Sequence, residues 1–399
     1  MANYQTLVLF DDADRDLLLP LTYTRPVADL RIGIRTIREK WEQVCQLPSS
    51  TWTEPYLASC FPCRAEGTTL LINGAVLPDE KLVEAIQNMQ EGQALVNENF
   101  PIAFVTSSLE DVHTIEQLLQ TCNQQEYKAD ILSIRYLWDI YLANGKATQW
   151  DFDKITGGRQ SAKLSSTNTV IGDYPVFLEE GAKAECSTFN TTKGPVYLGT
   201  DAEVMEGAMI RGPFTMLNHA TVKMGTKIYG PTTLGPYCKA GGEVNNSILT
   251  AYSNKAHDGF LGNSVIGEWC NIGADTNNSN LKNDYGNVKM WSYRHEQFTY
   301  TGQQFVGLMM GDHAKCGINT MFNTGTVVGV SANVFGGGFP LQFIPSFAWG
   351  GPHGFSTYMF DKACEVAERM KNRRGLDVSA DERNLLAHIF NLSEKYRHF

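Results

Sequence analysis

The sequence predicts an α/β domain with a parallel sheet, then a parallel β-helix, then a short helical tail. Three observations carry that expectation. From Leu198 to Ala240 every sixth residue is apolar: Leu198, Val204, Ile210, Met216, Val222, Ile228, Leu234 and Ala240. Neither the helical period of 3.6 nor the strand period of 2 demands this alone. A coil of three flat six-residue faces does, with each repeated residue stacking inward on its counterpart one coil away. Secondly, strand and helix signals alternate across residues 1–150, the pattern of a parallel sheet. Thirdly, two amphipathic stretches follow the glycine run Gly336–Gly338.

Taken in order, Thr6–Phe10 is a buried strand and Thr36–Trp41 a helix. Leu70–Ile72 is a second strand ending at Asn73-Gly74, and Asp79–Met89 is a helix with Leu82, Val83 and Ile86 on one face. Ligands bind such sheets at the carboxyl ends of strands, which singles out Phe10-Asp11-Asp12 and Asn73-Gly74-Ala75. Residues 151–169 are polar, with Gly157-Gly158 and a serine-rich run, and form the expected linker. The β-helix is expected over 170–350. Glycines follow the inward residue at 199, 235 and 241, where the chain must turn tightly. The beat returns at Ile266 and Ile272, and again at Met310, Cys316, Phe322, Val328 and Val334. One excursion, Asn283 to Phe305, is rich in Tyr, Trp and Gln. Loops that long are usually functional, and Trp291–Tyr300 is expected to lie on a neighbouring subunit. Residues 351–399 form the tail. One helix spans Thr357–Lys371, and another starts at Ser379 with Glu382 completing a capping box.

Composition narrows the function. The 399 residues carry a net charge of −10, which argues against a general binder of nucleic acid or anionic membrane. No apolar run approaches the ~20 residues of a membrane span. Met1–Gln5 lack the basic start and apolar stretch of a signal peptide, so a cytoplasmic chain is expected. Nine cysteines, mostly single, suit a reducing compartment. Cys60 and Cys63 form a CxxC with no further ligands at finger spacing, so they read as loop thiols.

The densest polar constellation runs from Glu243 to Lys289. It holds Glu243-Val-Asn245, then Ser253-Asn-Lys-Ala-His257-Asp-Gly-Phe260-Leu-Gly262, then Asn271-Ile-Gly273-Ala274, then Ser279-Asn280. An imidazole displayed there can serve as general base near neutral pH. The plain alternatives are a surface histidine in a turn and asparagines laddering from coil to coil.

These segments resemble the acetyltransferase half of the bifunctional sugar-1-phosphate nucleotidyltransferase/acetyltransferases of the GlmU type, in particular their archaeal branch. The resemblance covers roughly 170–338. It rests on His257 with Phe260, Leu261, Gly262 and Asn263, on Asn271, Gly273, Ala274, Asn280 and Leu281, and on Asn287-Val-Lys289 followed by Gly311–Asn319. It implies a left-handed β-helix, a homotrimer and acetyl-CoA as donor. Carried over, His257 takes a proton from a sugar amine and Asn280 orients the amine or the acetyl group. Glu243, Asn245, Phe260, Asn271 and Lys289 would bind substrate, Lys289 at its phosphate, and Gly317, Asn319 and Gly329 would bind the donor. Two positions depart: Phe260 stands for the family's tyrosine, and Asn245 for its phosphate-binding lysine. Lys223, Lys227, Lys239 and Lys255 are other sources of charge.

The N-terminal half resembles the nucleotidyltransferase half at Leu19–Thr22, Arg25-Pro26 and Asn73-Gly74. Its expected glycine-rich phosphate loop is instead Asp11-Asp-Ala-Asp-Arg-Asp16, its lysine is Val27 and its metal-binding aspartate is Ala75. Glycines let backbone N–H groups approach phosphate, whereas carboxylates repel it. Asp11, Asp12, Asp14 and Asp79 offer Mg²⁺ a different arrangement, needed only if this domain is active. The expected function is therefore acetyl-CoA-dependent N-acetylation of an amino-sugar phosphate resembling glucosamine 1-phosphate, in sugar-nucleotide synthesis. The alternatives are UDP- or dTDP-sugar pyrophosphorylase activity in the N-terminal domain, and a non-catalytic trimeric scaffold. A three-histidine zinc site is rejected, because His219, His257, His295 and His313 offer no His-x4-His pair.

Overall fold

A computed structural model describes residues 4–107, 109 and 112–399. It divides into two compact units. One comprises 1–18, 24–30 and 35–135, and the other 19–23, 31–34 and 136–399.

The first unit is built on six strands: β1 (Thr6–Phe10), β2 (Ser49–Trp52), β3 (Thr69–Asn73), β4 (Gln93–Asn97), β5 (Phe100–Thr106) and β6 (Asn123–Glu126). Their order is β2-β1-β3-β5-β4-β6. The pairs β1–β2, β1–β3 and β4–β6 are parallel, as expected, while β5 runs against both neighbours. Leu7, Val8, Leu9 and Phe10 are all buried, the unbroken apolar run of a strand covered on both faces. Helix α1 (Ile37–Cys45) starts at a Thr36/Glu39 capping box, and α2 (Glu80–Gln87) starts at Asp79, whose carboxylate accepts the Leu82 N–H at 2.9 Å. A third helix, α3 (Ile115–Thr121), covers the same core through Ile115 and Leu118.

In the second unit, α4 (Leu137–Thr156) runs into the expected linker. Residues 151–156 look polar, yet Asp151 and Phe152 are buried. Asp151 accepts the Ile34 N–H at 2.8 Å, and Asn144 accepts from Gly33 N–H at 2.7 Å and from the Thr233 hydroxyl at 3.0 Å. Those bonds extend the helix beyond what its composition suggests. Only 157–168 lie outside helix and strand.

A parallel β-helix follows. Its first face runs from Val176–Leu178 to Phe343–Ile344, and its second from Lys183–Ala184 to Ala348–Gly351. Its third runs from Thr169–Ile171 to Phe260–Gly262, then resumes as Asn277–Asn278 paired with Met321–Phe322. Every one of the eight sixth-position residues lies in one core cluster, as do Ile266, Ile272, Met310, Cys316, Phe322, Val328 and Val334. Coils of eighteen residues pair Val196 with Phe214 and Phe214 with Thr232. The next is fifteen, Thr233 to Ile248, then seventeen, Ile248 to Val265. The coil from Val265 to Met309 holds the excursion.

That excursion is an antiparallel hairpin, Lys289–Ser292 against Gln297–Tyr300. Trp291 has ring partners in its own chain. It stacks on its own chain's Phe343, with centroids 4.2 Å apart, and Tyr293 is buried against Tyr23, Phe343 and Tyr396. These three aromatic partners within the chain surround the two rings. Phe298 and Tyr300 remain exposed.

The corner between first and second faces is a column of left-handed residues, among them His219, Tyr237, Tyr252, Trp269 and His313. Their rings stack with centroid spacings of 4.6, 5.2, 4.1 and 6.4 Å. The tail carries α5 (Phe360–Asn372) and α6 (Ala380–Leu392). The Ser379/Glu382 capping box forms, and Phe360 and Phe390 pack on Phe347. Thr357 ends a strand rather than starting the helix. Among the described residues no helix is long and apolar enough to cross a membrane. Among the described residues the cysteines form no disulfide.

Candidate functional site

Side chains alternate along a strand, so each third-face strand points its middle residue inward and its outer two outward. Val244 and Leu261 point in and are buried. One outward column is therefore Met209, Lys227, Glu243 and Phe260, and the next holds Tyr229, Asn245 and Gly262. Glu243, Asn245 and Phe260 thus share a face as neighbours. The Phe260 ring leans over Gly262: a Cβ on that glycine would meet Phe260 Cζ at 2.5 Å and Asn280 Nδ2 at 2.7 Å. The next coil reaches this face through amides. Asn277 Oδ1 accepts the Phe260 N–H at 2.8 Å, and Asn278 bonds both the N–H and the C=O of Gly262.

Asn280 joins the group as one rung of a ladder. Its Nδ2 donates to Asn263 Oδ1 at 2.7 Å. Asn263 donates to Asn246 at 3.0 Å, which donates to the Tyr141 and Pro231 carbonyls at 3.2 Å. One N–H of the Asn280 carboxamide is thereby committed to the ladder.

His257 stands at the corner that opens this face. In the inward column of the second face, Val222, Ala240, Lys255, Ile272 and Cys316 succeed one another. Two residues beyond each lie Met224, Gly242, His257, Ala274 and Ile318, which form an outer ridge. His257 is exposed there, and among the described residues its imidazole has no hydrogen-bond partner. Met224 and Ile318 on the same ridge are also exposed. Beneath the ridge Lys255 takes an apolar position in the core. It is 2% exposed and its ammonium donates to the His257 carbonyl. Burial pulls the Lys255 ammonium down to about 8, against the opposing pull of Asp258 and Asp275. Phe260–Gly262 separates His257 from the asparagine ladder by roughly 10 Å of strand.

Other expected site residues lie elsewhere. Asn271 is exposed on the second face, in register with Asn254 and Lys315. Lys289 is on the hairpin, its ammonium 4.4 Å from the Tyr300 centroid. Gly317 and Asn319 follow the His257 ridge, whereas Gly329 begins the corner between first and second faces. Glycine at these positions serves coil contact. A Cβ at Gly329 would meet Ser346 N at 2.2 Å, and one at Gly273 would meet Gly317 C at 2.4 Å. Sequence spacing left four lysines as equal candidates for a phosphate partner. Register singles out Lys227, next to Glu243 and in line with Phe260. Asn263 showed only as the last residue of the His257 segment, and Phe305 only as the end of the excursion, since neither falls on the six-residue beat.

The acidic loop of the first unit is spent on itself. Asp11 accepts from Val27 N–H at 2.9 Å and from Thr53 at 2.6 Å, with Arg15 Nε at 3.4 Å. Burial raises its carboxyl to about 6 in spite of Arg15. Asp12 holds Asn73 and the Asp14 N–H, Asp14 holds Arg135 at 2.6 Å, and Asp79 caps α2. Among the described residues no three His, Cys, Asp or Glu side chains gather as a metal set. These four aspartates do not fit Mg²⁺. The cavity beside them, about 390 Å³, is walled by Asp12, Asp14, Glu98, Glu116, Phe100 and Arg135 among others.

Residues 7–160 match a family model described as sugar nucleotidyl transferase. No curated protein matches the chain. Solved structures similar to it include the polySia-specific acetyltransferase NeuO, at 14% identity and TM-score 0.25, covering 53% of this chain and 99% of that one. The Arabidopsis UDP-N-acetylglucosamine acyltransferase is similar at 15% identity and TM-score 0.25, covering 59% and 90%. A hexapeptide transferase family protein from Anaplasma phagocytophilum is similar at 14% identity and TM-score 0.18, covering 59% and 92%.

Proposed function

We propose that the chain is a transferase whose β-helix moves an acetyl group from acetyl-CoA to the amine of an amino-sugar phosphate. The observation that carries this reading is the pairing of an exposed, unpartnered His257 imidazole with a buried lysine fixing its turn. Holding a turn with a buried ammonium is costly, which is hard to explain for a histidine with no task. A sugar ammonium must lose a proton before its nitrogen can attack. In this reading the ammonium gives that proton to solvent, and His257 accepts the second proton that the neutral amine sheds as its nitrogen bonds to the thioester carbonyl carbon. The tetrahedral oxyanion takes a backbone N–H at the coil corner. The C–S bond then breaks, and the imidazolium returns the proton to the departing thiolate. The Asn280 carbonyl accepts a remaining amine N–H. Lys227, in line with Phe260, offers a cation for the sugar phosphate, where Asn245 stands for the family's lysine. Met224 and Ile318 give the donor's pantetheine arm an apolar ridge. The test is a screen of acetyl-CoA against amino-sugar phosphates, read as thiol release. Release that depends on both substrates supports the reading. None, from a folded chain across the panel, refutes it.

The family match over residues 7–160 favours a second reading, nucleotidyl transfer to a sugar 1-phosphate. The self-paired aspartates at the carboxyl end of β1 oppose it, because they take the place where phosphates would bind. Pyrophosphate release from UTP or dTTP with a sugar 1-phosphate, at about 1 s⁻¹ or faster, would establish it.

A further inference from the structure

Beyond the His257 ridge, where the excursion folds back on the β-helix, lies a cleft of about 690 Å³. Small-molecule sites span about 300–1,000 Å³. Its base is pinned by an antiparallel bridge between Leu281 and Phe305, and the Tyr141 hydroxyl donates to the Phe305 carbonyl at 2.7 Å. The wall chemistry is unusual. No charged side chain lines it, and carboxamides do: Asn245, Asn287 and Gln303. Among the described residues none of these three amides has a hydrogen-bond partner. The carboxamides of Asn246 and Asn263 beside them are spent on one another and on backbone carbonyls. Apolar surface completes the cleft, with Phe305 48% and Leu142 49% exposed next to Pro231.

From this we infer that the cleft binds an uncharged pyranose, a hexose or N-acetylhexosamine unit. A carboxamide carries both donor and acceptor, which is what a ring hydroxyl, itself donor and acceptor, requires. Three free amides facing one cavity satisfy several hydroxyls at once. The exposed Phe305 ring offers a flat apolar surface for the C–H face of a sugar. A phosphate or carboxylate ligand would find no cation in these walls, and a wholly apolar ligand would strand the amides without partners. The inference goes beyond acetyl transfer and does not need it. The cleft would hold a neutral sugar unit of an acceptor, or of a glycan, whatever happens at His257.

Saturation-transfer NMR on the full chain tests this with methyl β-glucoside, methyl β-N-acetylglucosaminide and glucose 1-phosphate as probes, each near 10 mM. That concentration reveals sites with Kd of about 1–10 mM. Transfer to the ring protons of a methyl glycoside is expected. Phe305→Ala should weaken it at least about tenfold, as aromatic contacts of ~1.4 kcal/mol imply. Phe305→Trp should keep it. Because the Phe305 ring is exposed and its anchoring bond is made by backbone, both variants should fold. Gln303→Ala gives a second reading through an amide alone, and should weaken transfer too. His257→Ala should bind the glycosides as the wild type does, which separates a failure here from a failure of the acetyl-transfer reading. Three results would overturn the inference: no transfer to either methyl glycoside, transfer unchanged in Phe305→Ala and Gln303→Ala, or tighter binding of glucose 1-phosphate than of methyl β-glucoside.

Discussion

Lys255 occupies a position that every neighbouring coil fills with an apolar or thiol side chain, between Ala240 and Ile272. Its ammonium pays for that place with a hydrogen bond to the His257 carbonyl. The cost is readable as a pH dependence. In the unfolded chain the amine releases its proton near 10.5, in the folded chain near 8. Below about 8 both states hold the proton and the penalty is constant. Between about 8 and 10.5 the unfolded state still binds a proton that the folded state has released, so this residue makes stability rise with pH. Lys255→Met removes that contribution and, as a buried ion exchanged for an apolar side chain, should be neutral or stabilising near pH 7. Denaturant titrations of both forms across this window should show the wild type gaining on the variant. A difference that stays flat would mean the amine is solvated. His257 was legible in the sequence because its segment stood out from the beat. The partner beneath it was not, since a lysine at an inward position is visible only once the columns are counted through a fifteen-residue coil.

At the scale of the element, eight apolar positions in register were enough to expect a β-helix, because inward stacking is the one demand every coil shares. The shortened coils and the hairpin were less legible. A hairpin closed by Trp291, Tyr293, Phe343 and Tyr396 rests on partners about 50 and 100 residues away in sequence, so its composition pointed outward while its rings point in. Helix α4 was hidden in the same way, since Asp151 and Asn144 look solvated until their partners are known. The ring column at the first corner is a further element that sequence spacing concealed, its members being 18, 15, 17 and 44 residues apart. Each sits at positive φ, which is strained for an ordinary side chain. Stacking compensates. Trp269, at φ 60° and 7% exposed, is the test. Trp269→Ala should cost about 3–5 kcal/mol. Trp269→Gly should cost roughly 0.5–1 kcal/mol less, since glycine accepts the turn without strain. Chemical denaturation of the two variants gives the order, and alanine proving the milder change would remove strain from the account.

For the whole molecule, we propose a homotrimer. The third face and the ridge before it carry exposed apolar side chains: Ile171, Met209, Met224, Tyr229 and Ile318. Scattered singly they would mean little, but along one face they mark an association surface. Light scattering at micromolar concentration should give three times the chain mass, and Met224→Glu with Ile318→Glu should lower it. A monomeric wild type would contradict the proposal. The first unit was legible as α/β from its strand–helix alternation, but not its reversed strand, because β4 and β5 are separated by two residues that a tight turn can use either way.

The acetyl-transfer account stands most directly on His257. General-base help is worth about 10²–10⁴ in rate. The decisive measurement is steady-state thiol release from acetyl-CoA by wild type and His257→Ala, on the amino-sugar phosphate found in the screen. The account predicts kcat lower by that factor, KM for acetyl-CoA nearly unchanged because the base acts in the transition state, and an intact assembly. Full activity in a folded His257→Ala chain would contradict it.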